Sequence, residues 1–182
     1  MAFECVKIRH SQPRNMIKSN YRVGDKIVEF GQVFNIFQIK NQRTADGKFE
    51  KIIFFKPYFK INNASNIICS IPLNNIEKTE IRKPISTTEL KVLFKRLKKA
   101  NSNNISLTII RAKELLKSDN PKIMIKLLRI LYNEKKTQPD SFSKSKKDVF
   151  ESAMDKLVQE FALVSRITPD KARDKITFAL SN

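Results

Sequence analysis

The chain has 182 residues, 41% of them hydrophobic, which is enough to build packed cores without disulfides or metal ions. Its 36 Lys and Arg residues outnumber 18 Asp and Glu residues, which gives a formal net charge of +18 at pH 7. Such a field favours polyanions, chiefly nucleic acid, over membrane surfaces and acidic proteins, although a basic surface can also serve solubility alone. With two distant cysteines, no apolar run of about 20 residues and no signal-peptide pattern, we expect a cytoplasmic protein.

Residues 1–20 are basic and show no clear periodicity. Their basic side chains are Lys7, Arg9, His10, Arg14 and Lys18. We expect a basic N-terminal arm that is disordered when free, while an extra strand or a tether fits the same pattern.

Residues 21–83 carry a β pattern, in which short runs rich in Ile, Val and Phe alternate with turn residues. The expected strands are residues 26–28, 33–39, 49–55, 58–61 and 67–71. Asp46-Gly47 lies between two of these runs and predicts a hairpin, because glycine tolerates the positive φ of a tight turn. Short strands at this spacing predict a small β barrel of the SH3 or Tudor type.

Residues 84–182 change to a helical period. Ser86 and Glu89 form a capping box, after which Leu90, Leu93, Phe94 and Leu97 make an apolar stripe opposite Lys91, Lys95, Lys98 and Lys99. Further helices are expected over residues 104–117, from Pro121, from residues 145–148 and from Thr168-Pro169-Asp170. The predicted fold class is α+β, with an N-terminal barrel followed by a C-terminal α-helical bundle.

The residues needed for catalysis are sparse. His10 is the one histidine, which argues against a histidine-based triad in the folded body and against a multi-histidine metal site. Three glycines are too few for a phosphate-binding or dinucleotide-binding loop, and the carboxylates are scattered singly. We therefore expect a protein that is not an enzyme and has no cofactor, with a metal-dependent nuclease built from distant acids as the remaining enzymatic alternative.

Several stretches together resemble the CarD family of bacterial transcription regulators. Residues 21–28 (YRVGDKIV) resemble its opening, and residues 70–75 (SIPLNN) resemble the end of its Tudor-like domain. Further matches are Glu114, Leu116, Ser118, Leu131-Tyr132 and residues 157–163 (LVQEFAL). The resemblance extends over residues 21–179, in the family's order and spacing.

The resemblance implies a monomeric protein that is located at the nucleoid and binds both RNA polymerase and promoter DNA. In the family, the Tudor-like domain pairs an edge strand with the β subunit of bacterial RNA polymerase, and the helical domain binds double-stranded promoter DNA and stabilises the open complex. The polymerase-binding residues implied here are Ile39, Lys40, Asn41, Gln42, Arg43, Ile68, Cys69 and Ser70. An arginine common in the family is replaced by Ser70, and residues 29–31 make a shorter link than usual.

The DNA-binding part departs further from the family. Its N-W-S-R-R segment corresponds to residues 104–108 (NISLT), so Ile105 replaces the tryptophan that acts as a wedge and both arginines are absent. Ile105 can still serve as an apolar wedge, but burial in the second helix is the preferred interpretation. The remaining DNA-binding candidates are Arg111, Lys113 and Lys117 on the second helix, and Lys144, Lys146 and Lys147 at the start of the fourth.

Two other functions remain open. The first is a free-standing, non-specific DNA-binding protein of the nucleoid type. The second is an RNA-binding protein, in which Phe54, Phe55, Tyr58 and Phe59 would be stacking platforms rather than core residues.

Overall fold

A computed structural model describes residues 21–43, 47–59, 67–99 and 106–181. The predicted basic arm and Ile105 lie outside the described residues. In chain order, a β-sheet is followed by α-helices, which confirms the α+β class.

The sheet contains β1 (Lys26–Glu29), β2 (Gln32–Arg43), β3 (Phe49–Pro57) and β4 (Cys69–Pro72), all antiparallel and in sequence order. The β2–β3 pairing confirms the hairpin that Asp46-Gly47 predicts, and Gly47 has a φ of 76°. The separate strand predicted over residues 58–61 is wrong at Tyr58 and Phe59, which follow β3 in a bend. Phe59 packs instead against the helical core.

Side chains along β2 and β3 alternate between buried and more exposed positions, and the buried ones form the core of the sheet. Phe34 and Ile36 from β2 pack with Ile53 and Phe55 from β3, and the Phe34 and Phe55 rings meet edge to face at 5.3 Å. The four strands form an open sheet within the described ranges, since β1 and β4 are not paired there. A closed barrel is therefore not confirmed.

The helices are α1 (Thr87–Lys98), α2 (Ile109–Leu116), α3 (Pro121–Thr137), α4 (Lys144–Ser165) and α5 (Pro169–Ser181). The predicted capping box is confirmed, because the Glu89 N–H donates to Ser86 Oγ at 3.1 Å and the Ser86 N–H donates to Glu89 Oε2 at 2.9 Å. Pro121 begins its helix as predicted. Among the described residues, no helix has the length and hydropathy needed to cross a membrane.

The bundle packs around α4, which contacts each of the other four helices. Leu157 and Phe161 of α4 are buried with Leu128 and Leu131 of α3. Arg129 is also buried, and its guanidinium donates to the Leu180 carbonyl of α5 at 2.5 Å and to the Lys98 carbonyl of α1 at 3.4 Å. Its side chain thus joins the middle of α3 to the carboxyl ends of α1 and α5.

The sheet is packed on α4 through the β1–β2 turn. Gly31 is buried in this turn with a φ of 80°, and a Cβ there would lie 2.4 Å from the Lys156 Cα. Two residues later, the Val33 N–H donates to Gln159 Oε1 at 2.9 Å. The close approach requires a residue without a side chain at position 31.

An ionic cluster joins the sheet to the bundle. Glu160 is fully buried and accepts hydrogen bonds from both Arg82 Nη atoms, at 2.5 and 2.7 Å, and from the Ile85 N–H at 2.8 Å. Asp119 Oδ2 lies 3.8 Å from Arg82 Nε. Burial raises the pKa of Asp119 to about 6, although the Arg82 and Lys156 charges lower it in part.

Candidate nucleic-acid interface

The starts of α2 and α4 lie together at the carboxyl end of α3. Glu134, near that end, has a side chain only 5% exposed. It accepts a hydrogen bond from Ser106 Oγ at 2.9 Å and forms an ion pair with Lys146 Nζ. Because Ser106 precedes α2 and Lys146 lies in the first turn of α4, Glu134 holds the two helix starts side by side.

Both helix starts carry side-chain caps. Thr108 Oγ1 accepts from the Arg111 N–H at 3.3 Å, and Ser143 Oγ accepts from the Lys146 N–H at the same distance. The remaining N–H groups of each first turn give these ends a partial positive charge, which attracts phosphate. Two such ends therefore lie close to each other beside Glu134.

The six cationic candidates on α2 and α4 differ in their partners. Lys144 and Lys147 are exposed and form no ion pair within the described residues, whereas the charge of Lys146 is matched by Glu134. Arg111 Nη1 lies 2.8 Å from Glu114 Oε2 in an exposed pair that contributes little, so a phosphate could replace Glu114. Lys113 is exposed on α2, and Lys117 is exposed at the carboxyl end of that helix.

A second cationic surface was missed by the sequence analysis. Lys91, Lys95 and Lys98 of α1 and Lys175 of α5 lie around one groove, which also involves the carboxyl end of α4. The helical spacing of the α1 lysines was visible in the sequence, but the proximity of Lys175 depends on tertiary packing. Because α4 has 22 residues, its two ends are roughly 30 Å apart, so the groove residues on α4, Val164 and Ser165, are well separated from the start of that helix.

The two segments predicted to bind polymerase lie on opposite sides of β3. Ile39 pairs with Ile53 and Arg43 with Phe49, whereas Cys69 pairs with Phe55 from the other side. The two segments therefore do not form one continuous edge of the sheet. The binding of either segment to polymerase stays a prediction.

The aromatic side chains considered as stacking platforms are divided between core and surface. Phe55 is buried in the core of the sheet, and Phe59 packs against the helical core. Tyr58 is 45% exposed, with Lys26 Nζ 5.0 Å from its ring centroid. Phe54 is half-buried beside Phe37, with ring centroids 6.5 Å apart. The four rings thus do not make a common platform.

In the described part of the chain, no three His, Cys, Asp or Glu side chains are grouped as a metal site requires. Comparison with protein-family models and with curated proteins found no match. A functional assignment therefore depends on the charge and geometry of the chain's own residues.

Proposed function

We propose that the protein is a non-enzymatic transcription regulator of the CarD type, which binds duplex promoter DNA through its helical bundle and the RNA polymerase β subunit through its sheet. The observation that carries the proposal is the joining of the α2 and α4 starts by Glu134. Lys144 and Lys147, in the first turn of α4, are exposed and form no ion pair within the described residues. Cationic side chains and helix N–H groups at one place suit contacts to DNA phosphates, which position a protein without reading sequence.

The return of the chain to β1 supports a Tudor-like arrangement of the sheet. After β4, the chain forms a 3₁₀ helix over Leu73–Lys78 and then an antiparallel bridge in which Val28 and Arg82 exchange backbone hydrogen bonds of 2.8 and 3.1 Å. A last segment that pairs with the first strand is what closure of a small barrel requires.

An exposed strand edge supports polymerase binding, because such an edge can accept a strand from another protein. In the described pairing, β1 is matched with β2 only over residues 32–35, so residues 39–43 of β2 extend beyond it. On the other side of the sheet, β4 has β3 as its described neighbour, and the preceding Ile67 and Ile68 are 50% and 63% exposed.

We expect the protein to bind duplex DNA without strong sequence preference and with a steep dependence on salt. Changing Lys144 and Lys147 to alanine should lower the slope of log K against log salt by roughly 0.9 for each lost phosphate contact. Fluorescence anisotropy with a labelled duplex over a salt series measures this slope.

The matched control changes Lys122 and Lys171 to alanine, which removes the same charge from exposed sites away from the α2 and α4 starts. We expect this control to keep most of the original slope. If the salt slope fell equally in the two double variants, only net charge would matter, and Lys144 and Lys147 would not belong to the DNA-binding site.

Proline substitutions should identify the edge that binds polymerase. Asn41→Pro removes a backbone N–H from β2, and Cys69→Pro removes one from β4. Because the two positions lie on opposite sides of β3, we expect one variant to lose most of its affinity for the purified β subunit and the other to keep it. Duplex DNA binding and thermal melting serve as controls for folding.

A free-standing DNA-binding protein is the second candidate function. It is favoured by the separation of the two implied polymerase-binding segments on opposite sides of β3. DNA binding by the unmodified chain without measurable affinity for the β subunit would select this candidate and reject the CarD-type proposal.

A further inference from the structure

A groove runs along α1 on the side that faces the end of α4 and the middle of α5. Its volume is about 580 Å³, and it is largely open to solvent. Leu90 and Phe94 of α1 and Val164 of α4 provide an apolar floor. The Phe94 ring is half-buried and packs on Phe161 with a centroid distance of 5.1 Å, so the floor is supported by the core of the bundle.

Lysines surround this floor. Lys91, Lys95 and Lys98 follow one another at helical spacing on α1, and Lys175 adds a fourth ammonium group from α5. All four are exposed, and none forms an ion pair within the described residues. The groove thus combines an apolar centre with an uncompensated cationic rim.

Charge argues against occupation of the groove by this protein itself. Residues 1–20 contain Lys7, Arg9, Arg14 and Lys18 but only one acidic residue, Glu4. A second copy of the chain would bring a further net charge of +18. Both would meet the lysine rim with like charge, which is unfavourable.

We propose that the groove binds an acidic amphipathic helix of a partner protein. The apolar ridge of such a helix would cover the floor, and its flanking carboxylates would lie beside the lysines, as in other helix-in-groove complexes. The α1 segment from Thr87 to Lys98 is roughly 17 Å long, which matches about three turns of helix. Nucleic acid would match the lysines but would leave the apolar floor without a partner.

The test uses a synthetic, fluorescently labelled helical peptide of about three turns, with leucines at i, i+3, i+4 and i+7 and glutamates on both flanks. We expect the full chain to bind it and Lys91→Glu/Lys95→Glu to weaken binding roughly tenfold at low salt. The matched control is Lys122→Glu/Lys126→Glu, the same change at the same spacing on exposed sites of α3, where binding should remain within about twofold.

A peptide of identical composition with scrambled leucines tests the role of the floor, and we expect it to bind much more weakly. The proposal would be overturned if the two peptides bound equally well. It would also be overturned if the two lysine double variants lost equal affinity for the peptide. It would also be overturned if the Lys91/Lys95 variant lost more affinity for duplex DNA or for phosphatidylglycerol vesicles than for the peptide. Lys91→Ala/Lys95→Ala provides the same comparison if thermal melting shows that the charge-reversed chain is unfolded.

The groove proposal does not depend on the DNA-binding proposal, because the two surfaces use different lysines. Loss of DNA binding in the Lys144 and Lys147 variant should leave peptide binding intact.

Discussion

Replacing Gly31 with alanine is expected to lower the free energy of unfolding by about 3 kcal/mol or more. The new Cβ would lie 2.4 Å from the Cα and 2.6 Å from the carbonyl oxygen of Lys156. These are backbone atoms of α4, so the helix cannot relieve the overlap by changing a side-chain rotamer. The positive φ of 80° adds backbone strain for any residue with a side chain. Urea unfolding monitored by circular dichroism measures the loss.

Gly24→Ala is the matched control for this variant. Gly24 also has a positive φ, of 96°, but a Cβ there meets nothing within 4 Å. The free energy of unfolding of this control should therefore fall only by the cost of backbone strain, about 1–3 kcal/mol. If Gly31→Ala were no more destabilising than Gly24→Ala, the close contact of the β1–β2 turn with α4 would be wrong.

Replacing Arg82 with methionine should destabilise the fold by about 3–5 kcal/mol, because it leaves the carboxylate of Glu160 buried without its cationic partner. Glu160 is fully buried, and the side chain of Arg82 is 27% exposed. The loss should be visible as a lower unfolding midpoint in urea. Changing both residues to methionine should recover part of the loss, because the buried charge of Glu160 is then removed, whereas the buried carboxylate of Asp119 still loses the charge of Arg82.

Arg173→Met is the control for the Arg82 substitution. Arg173 also contacts two carboxylates, those of Glu151 at 2.9 Å and Asp155, but these are 60% and 67% exposed. Water and salt screen these ion pairs, so the free energy of unfolding of this variant should fall by less than about 1 kcal/mol. Similar losses for Arg82→Met and Arg173→Met would contradict the role assigned to the buried pair.

Features that depend on neighbouring residues could be predicted from the sequence. The capping box needs only Ser86 and Glu89 at the correct spacing, and Pro121 and Pro169 suit the first turn of a helix because its N–H groups lack intrahelical acceptors. The β2–β3 hairpin was predictable for a similar reason, since Asp46-Gly47 favours a tight turn.

Helix boundaries were less accurate where local chemistry was ambiguous. The fourth helix was expected from Ser145, but Ser143 is the cap and the helix begins at Lys144. Both serines can cap a helix, and nothing in the local sequence distinguishes them. The buried Phe142 and the Lys146–Glu134 ion pair are tertiary contacts that favour the earlier start. Similarly, the second helix begins at Ile109 after the Thr108 cap, rather than near residue 104.

Contacts between distant residues were not predictable from periodicity. Arg82 and Glu160 are separated by 78 positions, and Gly31 contacts Lys156 across the junction of sheet and bundle. The same limitation applies to the candidate sites. The sequence indicated Lys146 as a cation but not its pairing with Glu134, and it gave no reason to place Lys175 beside α1.

The most direct test of the two-partner account is recovery of the tagged protein from its own cells, with and without nuclease treatment. If the sheet binds polymerase directly, the β subunit should be recovered in near-stoichiometric amount and should remain after the DNA is digested. If the β subunit is absent, or is lost together with the DNA, the protein does not join polymerase to the promoter and the CarD-type proposal is contradicted.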